Sequence, residues 1–191
     1  MIDQDPVISN IKTRRSVRDY AGKPVSNEVI ESIIDAGIHA PTGFGTQPWR
    51  FVVIKDKSIM KQMSGHCKPR LLQQLEGVNT DAAVQFKKML KTEEFDIFYN
   101  APVLVIVLGS KTAPTTDYDC AMCAQNMMLA AHAMGIGSCW IGTACLVQEN
   151  PEMMQKLKIP ADFKVVAPII FGYTGTVPAA APRNNPVITW L

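Results

Sequence analysis

The stretch from Asp117 to Gly142, DYDCAMCAQNMMLAAHAMGIGSCWIG, constrains this chain more than any other. After Asp119 no formal charge occurs until Glu149, and Ala, Met and Cys occupy nearly every face of a helical repeat. A helix that is apolar all round is a buried helix. The stretch is therefore predicted to form the central helix of a core, shared with a partner subunit. Its small residues, among them Cys120, Cys123, Ala124 and Ala131, let another helix or a sheet approach closely. Gly135 and Gly137 supply the backbone freedom for a helix stop, and Ser138 to Ile141 reads as a short buried strand. Gln125, Asn126 and His132 interrupt the apolar run before it reaches the about 20 residues of a membrane span.

The rest of the composition narrows the class. A length of 191 residues suits a single domain over 1–191, with one variable excursion at about 65–98. Charged residues make up 19% and the net charge is +2, which excludes a global bias toward nucleic acid or membrane. The N-terminus, MIDQDPVISNIKTRR, has no apolar segment and is read as lacking a secretory leader. Five cysteines, an odd number in mostly apolar surroundings, point to reduced thiols in the cytoplasm.

Taken in order, Val7 to Arg14 predicts a short helix with Pro6 near its start. Ser26 N-caps a second helix, with Glu28 in its first turn and Val29, Ile30, Ile33, Ile34 and Ile38 on the buried face. Trp49 to Ile54 predicts a strand, and Ser58 to Met63 a helical turn. The region from Gly65 to Asp96 is the most polar and least regular; it holds a helix over Asp81 to Lys91, N-capped by Thr80, and is expected to act as a lid or pocket wall. Val103 to Gly109 predicts a central strand covered on both faces. Asn150-Pro151-Glu152 starts another helix, and Lys164 to Phe171 forms another buried strand despite Pro168. The Pro- and Ala-rich tail ends in Val187 to Trp190, an apolar strand with no local partner that is expected to dock on another subunit.

Two polar stretches can carry chemistry. Arg14-Arg15-Ser16-Val17-Arg18-Asp19-Tyr20 holds three arginines and a serine within five residues. Planar guanidinium forks match phosphate oxygens, which makes a phosphate cradle; the alternative is a solvated basic turn with Arg18 paired to Asp19. The loop Thr42 to Pro48, rich in Gly, Thr and Gln, can bring bare backbone against a ligand or serve as a plain connector. Cys120-x-x-Cys123 near a helix start admits a dithiol redox reading, against that of two small core residues one turn apart. Cys139 and Cys145 have poor spacing for zinc, so no metal site is expected. Gly43-x-Gly45 and Gly135-x-Gly137 lack the third glycine of a dinucleotide fingerprint. His132, Met127, Met128 and Met134 are read as core.

Taken together, RRSVRDY at 14–20, APTGFGTQPWRFVV at 40–53, YNAPVLVIV at 99–107, LAAHAMGIGSCWIG at 129–142, VVAPIIFGYTG at 165–175 and APRN at 181–184 closely resemble the flavin-dependent nitroreductase family. The motifs occur in family order and leave only 55–98 and the tail uncovered. The resemblance implies an α+β fold with a central, mostly antiparallel sheet flanked by helices. It also implies a homodimer with an exchanged C-terminal segment and FMN at each of two subunit interfaces. Carried over residue by residue, Arg14, Arg15 and Ser16 would hold the FMN phosphate end and Arg183 would close it. Arg18 would approach the N1/O2 edge of the isoalloxazine, and Trp140, Ile141 and Gly142 would border the ring, with backbone toward N5. Pro41, Thr42 and Gly43 would come from the opposite subunit, with Gln47 nearby.

The activity so implied is hydride uptake from NADH or NADPH and reduction of a nitroaromatic, quinone or related small-molecule acceptor in ping-pong order. Negative charge gained by reduced flavin at N1/O2 suits a fixed guanidinium, and no side-chain acid or base is demanded. Alternatives are a flavin store or sensor without turnover, or a flavin-free dithiol protein using Cys120 and Cys123. Two departures stand out: Gly43 and Gly45 replace a Ser and an Asn common in the family loop, and Ala181 stands where a lysine can occur, leaving Arg183 alone.

Overall fold

The computed structural model describes residues 5–191; Met1 to Gln4, the first part of the stretch read as lacking a leader, lie outside the described residues. Six helices and four strands alternate irregularly along it: α1 (Pro6–Thr13), α2 (Asn27–Ile38), β1 (Trp49–Ile54), α3 (Lys57–Gln74), α4 (Asp81–Lys91), β2 (Val103–Ser110), α5 (Thr116–Ala133), β3 (Ile136–Trp140), α6 (Pro151–Lys156) and β4 (Phe163–Tyr173). The four strands form one antiparallel sheet in the order β1-β2-β4-β3. This is the expected α+β nitroreductase-like architecture.

Side-chain alternation on β2 builds the core. Val103, Val105 and Val107 face one layer, made by α2 and α5, together with Ala167, Ile169 and Phe171 of β4. Leu104, Ile106 and Leu108 face the other, made by α3, α6 and the segment around Ile97 and Phe98. A strand covered on both faces has no polar side to show, which is why its sequence is a continuous apolar run.

α5 lies on the sheet through Cys120, Cys123, Ala124, Met127 and Ala131, all fully buried at i, i+3, i+4, i+7 and i+11 of the helix. Burial all round, expected from its composition, does not hold within one chain. Tyr118 is 74% exposed and Met122, one turn on, 38% exposed, so the outer face remains uncovered.

α3 is the main departure. A turn was expected over 58–63, yet the helix runs through Gly65 and Pro69 to Gln74. Met60, Met63, Cys67 and Leu71 recur at helical spacing and are buried in the sheet layer. Much of the region read as least regular is therefore core-forming. Asp56 starts α3 by accepting Ser58 N–H at 2.7 Å, and Thr80 caps α4 as expected.

β3 begins at Ile136, two residues earlier than the sequence suggested. Residues 175–191 form no strand and are exposed throughout, with Trp190 at 87%. A lone terminal strand has nothing to satisfy its N–H and C=O groups in one chain, so the expected Val187–Trp190 strand does not form there.

The segment after α1 is held against the β3 edge and the end of β4. Val17 N–H donates to Ser138 O at 3.0 Å, and Tyr20 Oη donates to Val17 O at 2.7 Å. Gly172 permits this: a Cβ there would lie 2.6 Å from Pro102 Cδ and 2.7 Å from Tyr20 Cδ1. Gly172→Ala should therefore destabilise the fold by about 1–3 kcal/mol, the usual cost of overpacking. Urea denaturation checks this; an unchanged midpoint would mean that the Tyr20 and Pro102 rings yield freely.

Candidate functional site

α1 ends at Thr13, and the chain then runs beside the free edge of β3, where Ser16 and Ser138 form a parallel bridge. The two segments run the same way, so Arg14 stands at the Gly135 end and Arg18 at the Trp140 end. Arg18 lies four extended residue steps beyond Arg14, about 13 Å of chain.

At the first end lies a cavity of about 260 Å³ lined by Arg14, Arg15, His132, Gly135, Ser138 and Thr174. Arg15 spends Nη1 on Lys12 O and Arg14 O, at 2.8 and 2.9 Å, and so caps the end of α1. Arg14 Nη1 and Ser138 Oγ are buried without a hydrogen-bond partner. His132, read from sequence as core, is half-buried here and shares a hydrogen bond of 2.9 Å with Thr13 Oγ1. Burial first, then Arg14 and Arg15, hold its imidazole below the ordinary range. Its neutral form is therefore favoured, and the cradle's charge comes chiefly from the arginines.

At the second end, Arg18 shares a cavity of about 280 Å³ with Tyr99, Trp140, Ile141, Gly142 and Thr143. Ile141 N–H is tied to Pro168 O at 2.8 Å, and a 3-10 turn opens at Gly142. No carboxylate lines this cavity. The alternative Arg18–Asp19 pair is not formed: Asp19 Oδ2 accepts from Thr176 Oγ1 at 2.6 Å instead.

The loop with Pro41, Thr42, Gly43 and Gln47 sits elsewhere, at the N-terminal end of α5. Gly43 N–H donates to Asp119 Oδ1 at 3.1 Å, and Thr115 Oγ1 donates to Asp119 Oδ2 at 2.8 Å. Asp119 is 1% exposed. A Cβ on Gly43 would fall 2.4 Å from Thr115 Oγ1, so the glycine that departs from the family loop has a steric cause in this chain. Phe44 follows with φ 56° and 92% exposure. Since α5 has 18 residues, this loop and the Arg14 cradle stand about 27 Å apart along its axis. Arg183 lies in the exposed tail and lines neither cavity.

Residues 14–18 and 135–142 thus converge on β3, while 41–47 do not join them within one chain. Sequence reasoning gave no role to Tyr99, Ser138, Thr115 or Asp119. Tyr99 was legible only as part of YNAPVLVIV, and Ser138 and Asp119 are set by tertiary contacts.

Residues 11–173 match the family model for the nitroreductase family. The chain belongs to that family. An Archaeoglobus fulgidus relative, for which an NADH dehydrogenase or NAD(P)H nitroreductase activity is proposed by name, is 30% identical over 168 residues, covering 85% of this chain and 82% of its own. The FMN-bound nitroreductase of Bacteroides fragilis superposes with a TM-score of 0.80 at 27% identity, covering 98% of this chain and all of that one. The FMN-bound nitroreductase of Desulfitobacterium hafniense gives 0.77 at 25% identity, covering 97% of each.

The dithiol alternative for this nitroreductase-family chain meets a physical obstacle. Cys120 and Cys123 are fully buried in the α2–α5 layer, and burial pushes their thiols up to about 11 and about 12. A reactive thiol needs the opposite shift. Among the described residues, no three His, Cys, Asp or Glu side chains are grouped to hold a metal, and no helix is long and apolar enough to cross a membrane.

Two outcomes follow from this geometry. Asp119→Ala strands Gly43 N–H and the Thr115 hydroxyl, and should cost about 1.5–3 kcal/mol by urea denaturation, as for hydrogen bonds to a charged group; a loss below 0.5 kcal/mol, the floor for an ordinary bond, would contradict the anchoring role. In the native protein at neutral pH, Cys120 and Cys123 should not react with a disulfide reagent until the chain unfolds. Fast labelling of either would reopen the dithiol reading.

Proposed function

We propose that the protein is an FMN-dependent oxidoreductase working as a homodimer, taking reducing equivalents from NADH or NADPH and passing them in ping-pong order to a nitroaromatic, quinone or related small-molecule acceptor. The observation that carries this reading is the cradle beside β3, where Arg14 Nη1 and Ser138 Oγ are buried without partners. A buried guanidinium N–H left unpaired is costly, and a phosphate offers acceptor oxygens in the geometry its fork matches. FMN bound to the B. fragilis and D. hafniense relatives supports FMN as the bearer of that phosphate. The residues present fit it.

Arg14 and Ser16 would hold the phosphate end, with Arg15 adding charge beside them and Arg183 reaching it from the tail. Arg18, Trp140, Ile141 and Gly142 would border the ring. When bound, FMN supplies reversible two-electron chemistry. Arg18 places fixed positive charge in a cavity lined by no carboxylate, so negative charge developing beside it is stabilised. Gly142, as the first residue of its 3-10 turn, has no acceptor within that turn for its N–H, which is free to orient a ring atom.

The homodimer is supported by the span of α5. Pro41, Thr42, Gly43 and Gln47 at one end and Arg14 at the other reach one flavin only from different chains. The exposed Tyr118 and Met134 and the apolar tail offer surface for a second copy. Five cysteines, all without disulfides, suit a cytoplasmic setting.

The purified protein should be yellow, bleach with NADH or NADPH and regain its colour with a nitroaromatic or quinone. Protein that takes up no FMN would overturn the reading, and flavin that NAD(P)H never reduces would favour a store. Arg14→Ala should weaken FMN binding by about 1.5–3 kcal/mol, read by calorimetry on apoprotein. An unchanged Kd would place the phosphate elsewhere.

A further inference from the structure

Among the described residues no carboxylate pairs with Arg18, since Asp19 turns to the start of the tail, where Gly175 N–H donates to its backbone oxygen and Thr176 to its side chain. What faces the guanidinium is Tyr99, with the Arg18 Cζ 5.7 Å from the ring centroid. That lies within the about 6 Å over which a ring quadrupole attracts a cation.

Tyr99 is itself fixed from two directions. Its backbone and that of Asn100 both have φ 53°, a left-handed conformation that a tyrosine adopts only when its surroundings impose it. Asp96 imposes it: its carboxylate accepts Phe98 N–H at 3.0 Å and Asn100 N–H at 3.3 Å, and its backbone oxygen accepts Tyr99 N–H at 2.9 Å. Lys57 Nζ closes the turn by donating to Asn100 O and Ala101 O, each at 2.6 Å. The ring meets Phe95 edge-on at 5.6 Å, and Phe95 meets Phe86 of α4 at 6.4 Å. Edge-to-face pairs of this kind hold each ring's orientation. A ladder of three aromatic rings therefore connects α4 to Arg18.

We propose that Tyr99 is a positioning residue for Arg18: the ladder Phe86–Phe95–Tyr99 holds the guanidinium in the Trp140–Gly142 cavity and so sets the potential of the flavin. This role rests on the flavin reading above. Burial pushes the Tyr99 phenol above its ordinary range, against the opposing pull of Arg18, which also meets the phenol oxygen, so a neutral ring and its hydroxyl together face the cation. Without the ring, the long arginine side chain exchanges one fixed orientation for many. The reduced cofactor then loses a charge held ready at its polar edge, and the potential falls.

The test uses two preparations. In apoprotein, the Arg18 Nε–H resonance, assigned by its loss in Arg18→Gln, should be displaced by the ring current of Tyr99. Tyr99→Phe should keep that displacement and Tyr99→Leu abolish it. In the FMN-loaded protein, Tyr99→Leu should lower the midpoint potential and slow reduction by NADH about three- to tenfold, the scale of a cation–π contact, while FMN affinity holds. Tyr99→Phe, which keeps the ring and loses only the phenol oxygen beside Arg18, should lower the potential less than Tyr99→Leu, and Tyr99→Leu should add nothing in the Arg18→Gln background. Should Tyr99→Leu not fold, Tyr99→Asn, whose side chain suits left-handed backbone, takes its place. Equal potentials for wild type and Tyr99→Leu, or the same fall in the Arg18→Gln background, would overturn the positioning role while the flavin reading stands. Apoprotein that takes up no FMN would overturn the flavin reading and this role with it.

Discussion

Everything in this structure hangs on the burial of α5 between α2 and the sheet. Cys120, Cys123, Ala124, Met127 and Ala131 are small or flexible enough to let the helix lie close to β2 and β4. A continuous apolar β2 gives it something to lie on. Because the helix cannot move, its two ends become fixed points. Asp119 at one end anchors the 41–47 loop, and His132 and Leu129 at the other hold α1 through Thr13 and Asn10. One packing decision thus places both halves of the candidate site, and places them a helix length apart.

The arginine-bearing segment is organised by a second constraint, the free edge of β3. An edge strand must satisfy or cover its outward N–H and C=O groups, and here residues 16–17 do so. The covering strand brings Arg14 and Arg18 to the two ends of β3. The sequence order RRSVR thereby becomes a spatial order, the Arg14 cavity first and the Arg18 cavity second. The tail leaves from the same place, pinned by Asp19, so one short motif sets the Arg14 cradle, the position of the Arg18 charge and the departure point of the tail.

Much of this was legible because periodicity reports burial directly. The spans of β1 and α4 and the caps Ser26 and Thr80 are local properties, and the structure bears them out. α3 was not legible beyond its first turns. Gly65 and Pro69 are helix breakers by propensity, and only the burial of Cys67 and Leu71 against the sheet overrides them. Val187–Trp190 has a strand-like pattern but forms no strand within one chain, because a strand exists only with a partner. The arginine cradle was visible as a motif, whereas the unpartnered state of Arg14 Nη1 and the capping duty of Arg15 are tertiary facts. Gly43 illustrates the same limit, since its steric necessity lies in Thr115, far along the chain.

The central claim is that one chain holds each half of the site and two chains make it whole. Complementation between two defective variants tests this directly. On the proposed function, Arg14→Ala removes the phosphate half and Thr42→Tyr obstructs the loop from the other chain, so homodimers of either variant should bind FMN poorly. Refolding them together gives mixed dimers in which one site draws Arg14 from one chain and Thr42 from the other, both intact. The account predicts that the mixture regains tight FMN binding at one site per mixed dimer. A mixture that binds no better than its two components would contradict it, because sites built within single chains cannot repair one another.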